Sequence, residues 1–246
     1  GGEDQMVRIY PVEDSDPRSV AQLKGHTGKI VALAIEGNHL VSGSQDKRVQ
    51  IWDLTTQTAK QALSVHTSKV SAVGLHNGMI VSADEAKYVC LHKLHGVSDT
   101  PATPGAAASV VLPPFAAHDS AVFGVAMDGE EIVSCSRDQT IRVWNVTDGH
   151  LLYKVEEKRA VTAVAMHDDV IVTGSKDSTI RIWSRKEQGR LLLTLDAPSH
   201  GGAGELIGHI GPISSLAVDH EYVASGSFDK TVKLWNRTTG NLIWSR

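Results

Sequence analysis

"SGSFDKTVKLW", residues 225–235, has near-copies in "SGSQDKRVQIW" at 42–52 and "SCSRDQTIRVW" at 134–144. In each, Asp follows Ser by four residues, Trp follows Asp by six, and a His stands 16 residues before the Ser. The complete sets are His26, Ser42, Asp46, Trp52; His118, Ser134, Asp138, Trp144; and His209, Ser225, Asp229, Trp235. Two further copies keep the spacing and lose residues. His66 and Ser82 are followed by Ala86 and His92, and Glu157 stands before Thr173, Asp177 and Trp183. A hydroxyl, an imidazole and a carboxylate could serve as nucleophile, base and orienting group of a hydrolase. An active site needs one such set, however, and this one recurs, ends on an indole and lacks a Gly-x-Ser-x-Gly elbow. The repetition points to bracing, and no catalytic residue is assigned.

The Trp-equivalent positions 52, 92, 144, 183 and 235 are separated by 40, 52, 39 and 52 residues, a unit near 40 with two insertions of about a dozen. Such a period belongs to propellers, solenoids or arrays. Within each unit the apolar residues come in short alternating bursts, as in "KIVALAI", "HLVSGS" and "RVQIWDL", separated by tight turns such as "EGN", "HNG" and "MDGE". No helical stripe appears. The unit therefore reads as a four-stranded antiparallel meander.

"GH" before the first strand, "SGSxD" between the second and third, and "IWD" or "VWN" ending the third resemble WD repeats over nearly the whole chain. The resemblance implies an all-β fold, a β-propeller of four-stranded antiparallel blades, with each His, Ser or Thr, Asp and Trp joined in a hydrogen-bonded tetrad. The expected layout is a half blade over 1–24 and full blades over about 25–65, 66–117, 118–156, 157–207 and 208–246. A polar network stabilises a core only when its members satisfy one another. The blade with Ala86 and His92 is thus expected to be the least braced. Asp4 precedes Tyr10 by the same interval as Asp46 precedes Trp52, so the chain is expected to begin inside a repeat. It would supply only a third strand around Met6 to Tyr10 and a fourth around Ser19 to Lys24. The expectation is a segment of a seven-bladed parent, its open ends covered by missing blades, self-association or a partner chain.

Composition narrows the function. A net charge of −4 and a pI of about 6.3 give no basic field for nucleic acid. No apolar run approaches the roughly 20 residues that span a bilayer, and "GGEDQ" is unlike a secretory leader, so no membrane partner is expected. Cys90 and Cys135 lie in strand patterns and read as buried free thiols of a reducing compartment, cytoplasmic or nuclear. "NVT" at 145 and "NRT" at 236 are read as turn residues rather than glycosylation acceptors. Cys90, His92 and His95 are close in sequence, but His95 falls beyond the strand and no second zinc-spaced cluster accompanies them, so no metal is assigned. "HGGAGE" at 200 lacks the Lys-Ser/Thr of a phosphate loop, and no cofactor is expected. The insertions at 95–109 and 196–205 read as surface loops.

In the WD-repeat family the narrow face of the propeller is commonly the binding surface, formed by the residues three and five after the tetrad His and the residue just before the tetrad Asp. The resemblance places there Lys29, Val31 and Gln45; Lys69, Ser71 and Glu85; Ala121, Phe123 and Arg137; Ala160, Thr162 and Lys176; and Pro212, Ser214 and Phe228. Lys29, Lys69, Phe123, Arg137, Lys176 and Phe228 are the candidate partner-binding set: aromatic anchors amid cations, suited to an acidic or phosphorylated peptide. The competing reading is that the cations solvate loops and Phe packs between blades. The expected role is a non-catalytic protein-protein interaction scaffold. The alternatives are a substrate-recruiting module of a ubiquitin ligase and a regulatory domain attached to an enzyme such as a kinase.

Overall fold

The computed structural model describes residues 2–10, 21–94, 109–195 and 208–246. The fold is all-β, and the described residues contain no helix, hence none long and apolar enough to cross a membrane. Two compact units divide at Ala117. The first holds the pair β1 (Met6–Ile9) and β2 (Ala21–Lys24), then blade 1 of β3 (Ile30–Glu36), β4 (His39–Ser44), β5 (Val49–Asp53) and β6 (Thr58–Leu63). Blade 2 follows as β7 (Val70–His76), β8 (Met79–Asp84), β9 (Tyr88–Lys93) and β10 (Ser109–Ala116).

The second unit holds three blades. Blade 3 is β11 (Val122–Met127), β12 (Glu131–Ser136), β13 (Thr140–Asn145) and β14 (Leu151–Glu156). Blade 4 is β15 (Val161–His167), β16 (Val170–Ser175), β17 (Ile180–Ser184) and β18 (Arg190–Thr194). Blade 5 is β19 (Ile213–Val218), β20 (Tyr222–Ser227), β21 (Val232–Asn236) and β22 (Leu242–Ser245). Every strand pairs antiparallel with its sequence neighbour inside its own sheet, as a meander requires. The expected start of the half blade's second strand at Ser19 and the insertions at 95–109 and 196–205 lie outside the described residues, except for Ser109, which opens β10.

Each first strand carries a register shift immediately after its first residue: Ile30/Ala32, Val70/Ala72, Val122/Gly124, Val161/Ala163 and Ile213/Ser215. Such a bulge reverses the alternation, so residues one, four and six of the strand face one flank. In blade 2 these are Val70, Val73 and Leu75, which close a core with Val41, Val49 and Ile51 of blade 1. Val161, Val164 and Met166 of blade 4 meet Val133, Cys135 and Val143 of blade 3 in the same way. Blade 5 repeats the pattern against blade 4, with Ile213 and Leu216 beside Val172, Ile180 and Ile182.

The close approach of sheets explains two glycines. A Cβ at Gly43 would lie 2.6 Å from a Val70 methyl, and one at Gly174 would lie 2.4 Å from Ile213. Equivalent flank positions differ in exposure. Leu33 of blade 1 is 43% exposed where its equivalents Val73 and Val125 are 8%. Val232 of blade 5 is 50% exposed where Val49 and Val89 are 0%.

Candidate functional site

In blade 1 the Ser42 hydroxyl is a hub, with its Oγ 2.8 Å from His26 Nε2 and 2.8 Å from Trp52 Nε1. An indole N–H can only donate, so Ser42 Oγ accepts it and donates its own proton to His26 Nε2. His26 then carries its proton on Nδ1, 2.8 Å from Asp46 Oδ2. The Asp46 carboxylate also accepts the backbone N–H groups of Thr27 and Arg48, fixing the β4–β5 turn against the loop before β3. The same chain of bonds joins His118, Ser134, Asp138 and Trp144 at 2.8–2.9 Å. It joins His209, Ser225, Asp229 and Trp235 over the same range. His26, His118 and His209, their serines and their tryptophans are all buried.

The electrostatics follow from this wiring. Burial disfavours the imidazolium and outweighs Asp138, so the pKa of His118 lies below the ordinary histidine value. Burial works against the Asp138 carboxylate too, but hydrogen bonds from Thr140, the Asp119 backbone and His118 hold it down to about 2. Asp229 is lowered likewise, against burial, by Thr231, His209 and the Ile210 backbone. A neutral, buried imidazole whose two nitrogens are both occupied holds a serine as a hydrogen-bonding hub; the hydroxyl proton it accepts is balanced by the indole N–H that the same oxygen receives.

Blade 2 is rewired. Ala86 leaves no carboxylate at the usual place, and Asp84, two residues earlier, reaches His66 Nδ1 at 3.1 Å. His66 Nε2 keeps its bond to Ser82 Oγ at 2.8 Å. With no indole, the Cys90 thiol takes that place, 3.1 Å from Ser82 Oγ and 3.4 Å from His66 Nε2. Burial opposes the imidazolium, but bonds to Asp84 and Cys90 raise His66 to about 9. Burial also opposes the thiolate, yet His66 and then His92 bring Cys90 down to about 6. His92 is buried beside it. No group of three or more metal-ligating side chains converges among the described residues; His95 lies outside them.

Blade 4 replaces His by Glu157, whose Oε1 accepts the Thr173 hydroxyl at 3.0 Å while Trp183 Nε1 donates to Thr173 Oγ1 at 2.8 Å. Two carboxylates then stand near one another, and Arg181 joins them, at 2.5 Å to Glu157 Oε2 and 3.1 Å to Asp177 Oδ2. Asp84, Cys90 and Arg181 escape a reading that follows fixed positions. The signals were present in "SADEA", in the same-face position of Cys90 relative to His92, and in the Asp177/Arg181 spacing.

At the tetrad end of every blade one backbone bond recurs. The residue before the Asp position donates to the carbonyl of the residue three after the His position: Gln45 to Lys29, Glu85 to Lys69, Arg137 to Ala121, Lys176 to Ala160, and Phe228 to Pro212, at 2.9–3.0 Å. The candidate binding residues thus sit at equivalent, clamped positions, but they differ in availability. Lys29 pairs with Glu3 at 2.7 Å and Lys69 with Glu85 at 3.8 Å. Arg137 and Lys176 are exposed and make no ion pair among the described residues. Phe123 is half-buried against the core of blades 3 and 4, so it packs between blades and does not stand out as an anchor. Phe228 is 73% exposed.

A recurrent sheet, a buried hydroxyl-centred tetrad and variable outward loops define a repeat protein of the propeller class. The family model "WD domain, G-beta repeat" matches residues 17–53, 110–145, 148–184 and 203–236, more than half of the chain, and the chain belongs to the WD-repeat family. The match omits blade 2 up to β10, the blade whose tetrad is rewired. Its repeats are out of phase with the sheets: 110–145 runs from β10 through β13, and 148–184 from β14 through β17. The chain is 25% identical to Autophagy-related protein 16 of Arabidopsis thaliana over 99% of this chain and 46% of that protein. It is 24% identical to the Target of rapamycin complex subunit LST8 of Saccharomyces cerevisiae over 58% of this chain and 61% of that protein. The crystal structure of the computationally designed Ika8 protein is similar with a TM-score of 0.73 and 28% identity, over 93% of this chain and 65% of that one. The chain thus spans only part of the length of the relatives it matches.

Proposed function

We propose that the chain is a non-catalytic interaction module that holds partner proteins at the tetrad end of its blades, through segments that are acidic or phosphorylated. The observation that carries this reading is the pair of exposed cations, Arg137 and Lys176, each clamped by a backbone bond and each without an internal counter-charge among the described residues. Cations held out on backbone-clamped turns with nothing of their own to neutralise are suited to an anionic partner. Its kinship with a plant autophagy-related protein and a yeast complex subunit, both WD-repeat relatives, accords with a role in assemblies. Two buried free thiols accord with a reducing compartment, the cytoplasm or the nucleus.

The test is affinity capture with the wild-type chain and with Arg137→Glu plus Lys176→Glu, followed by phosphatase treatment of the captured material. Partners that survive the double reversal and the phosphatase equally well would remove the anionic reading. Loss of capture on charge reversal, with unchanged thermal stability, supports it.

A further inference from the structure

The tetrad ends of blades 4 and 5 differ in kind from the others. At the position after the tetrad His and the position before the tetrad Asp, blades 1 to 3 carry Thr27 and Gln45, Thr67 and Glu85, and Asp119 and Arg137, all polar. Blade 4 carries Lys158 and Lys176, with Arg159 between Lys158 and Ala160. Blade 5 carries Ile210 and Phe228, with Gly211 and Pro212 following Ile210. At these positions blade 4 is cationic and blade 5 is apolar, with Ser214 and Lys230 as the exposed polar neighbours of the apolar pair. All three cations are exposed, none makes an ion pair among the described residues, and Ile210 and Phe228 are 75% and 73% exposed.

The two patches are joined and rigid. Thr162 Oγ1 of blade 4 donates across to the Ile213 carbonyl at 2.5 Å, one residue from Pro212. The Pro212 carbonyl accepts the Phe228 N–H, and the Ile210 N–H donates to Asp229 Oδ2 at 3.0 Å. Both apolar residues therefore have their backbone tied inward while their side chains stand in water as one exposed apolar pair.

We propose that this end of blades 4 and 5 is a two-part docking site for an extended protein segment bearing a cluster of carboxylates or phosphates and, within a few residues, one bulky aliphatic or aromatic side chain. The acidic part lies over Lys158, Arg159 and Lys176, and the apolar part enters against Ile210, Pro212 and Phe228. The proposal rests on the interaction-module reading and adds to it an apolar requirement and a location. An anionic bilayer fits less well. A flat surface would also meet the exposed Asp119 and the net charge of −4, whereas a peptide need touch only two blades.

The experiment uses the chain as it stands and a fluorescein-labelled peptide array of 12-residue members in four sets: acidic plus Phe or Leu, phosphoserine plus Phe or Leu, acidic only, and apolar only. Vesicles with and without phosphatidylserine are run beside it. The expected result is binding by a set that combines anion and apolar residue, at least tenfold tighter than either alone. It should weaken at least tenfold with Ile210→Ser plus Phe228→Ser, at least tenfold with Lys158→Glu plus Lys176→Glu, and progressively with salt. Comparison of the first two sets tells carboxylate from phosphate. Peptide binding that ignores both double variants overturns the site and leaves the module reading standing, since that reading fails only by its own capture test. Binding to phosphatidylserine vesicles without peptide binding overturns the proposal in favour of a membrane, and binding to neither overturns it outright.

Discussion

The serine hydroxyl of each tetrad makes the sharpest demand on a single residue. Ser134→Ala removes the hydroxyl bonded to both the Trp144 N–H and His118 Nε2 in the core. Loss of these two buried bonds should cost about 2–4 kcal/mol together. Ser134→Thr keeps the hydroxyl, as Thr173 does in blade 4, and should cost about 1 kcal/mol. Denaturant melts of the two variants test this, and equal losses would mean the hydroxyl is not the hub. Acid should act on the same network. The pKa of His118 is lowered by folding, so its contribution is complete above about 6.5 and is lost as pH falls through the depressed value. Asp138, lowered to about 2, contributes fully above about 3.8 and loses that as pH falls through 2. Melting temperature should therefore fall steadily on acidification below neutrality. Asp138→Asn should flatten the part of the curve below about pH 4; a curve as steep as the wild type's there would refute the assignment.

Among elements, the first strands test how closely sheets approach. Gly174→Ala drives a methyl into Ile213 of the next sheet and should cost about 2–3 kcal/mol. Gly226→Ala, at the same position of blade 5, meets the rotatable hydroxyls of Ser215 and Ser214 and should cost about 1 kcal/mol or less. Comparable melting temperatures for the two variants would contradict the packing described. The strands and their order were legible in the sequence because the tetrad spacing survives even where its residues change: Glu157 and Ala86 keep the metric of His and Asp. The compensations were not. Asp84, Cys90 and Arg181 act from positions that the repeat leaves free, and only three-dimensional reach brings them to His66, Ser82 and Glu157. Phe123 is half-buried for a related reason. It sits at the register shift of β11, where alternation reverses, and sequence periodicity carries no mark of the reversal. Ile210, Lys158 and Arg159 stood in plain sight, but their meaning emerges only when each is compared with its counterpart in every other blade.

For the whole chain, equivalent positions carry unequal energies. Val49 and Val232 occupy the same place in their sheets, yet one is 0% and the other 50% exposed. Val49→Thr buries an extra hydroxyl and should cost about 1–3 kcal/mol, while Val232→Thr should stay within about 0.5 kcal/mol. Equal costs would mean that another surface covers blade 5 in solution. The phase of the repeat, four strands drawn from two successive sheets, bears on how such chains lengthen. Duplicating one genetic unit would lay down the outer strand of an existing sheet together with the inner three of a new one. Growth or loss by whole units therefore interrupts no sheet in the interior, and a mismatch is confined to the two extremities.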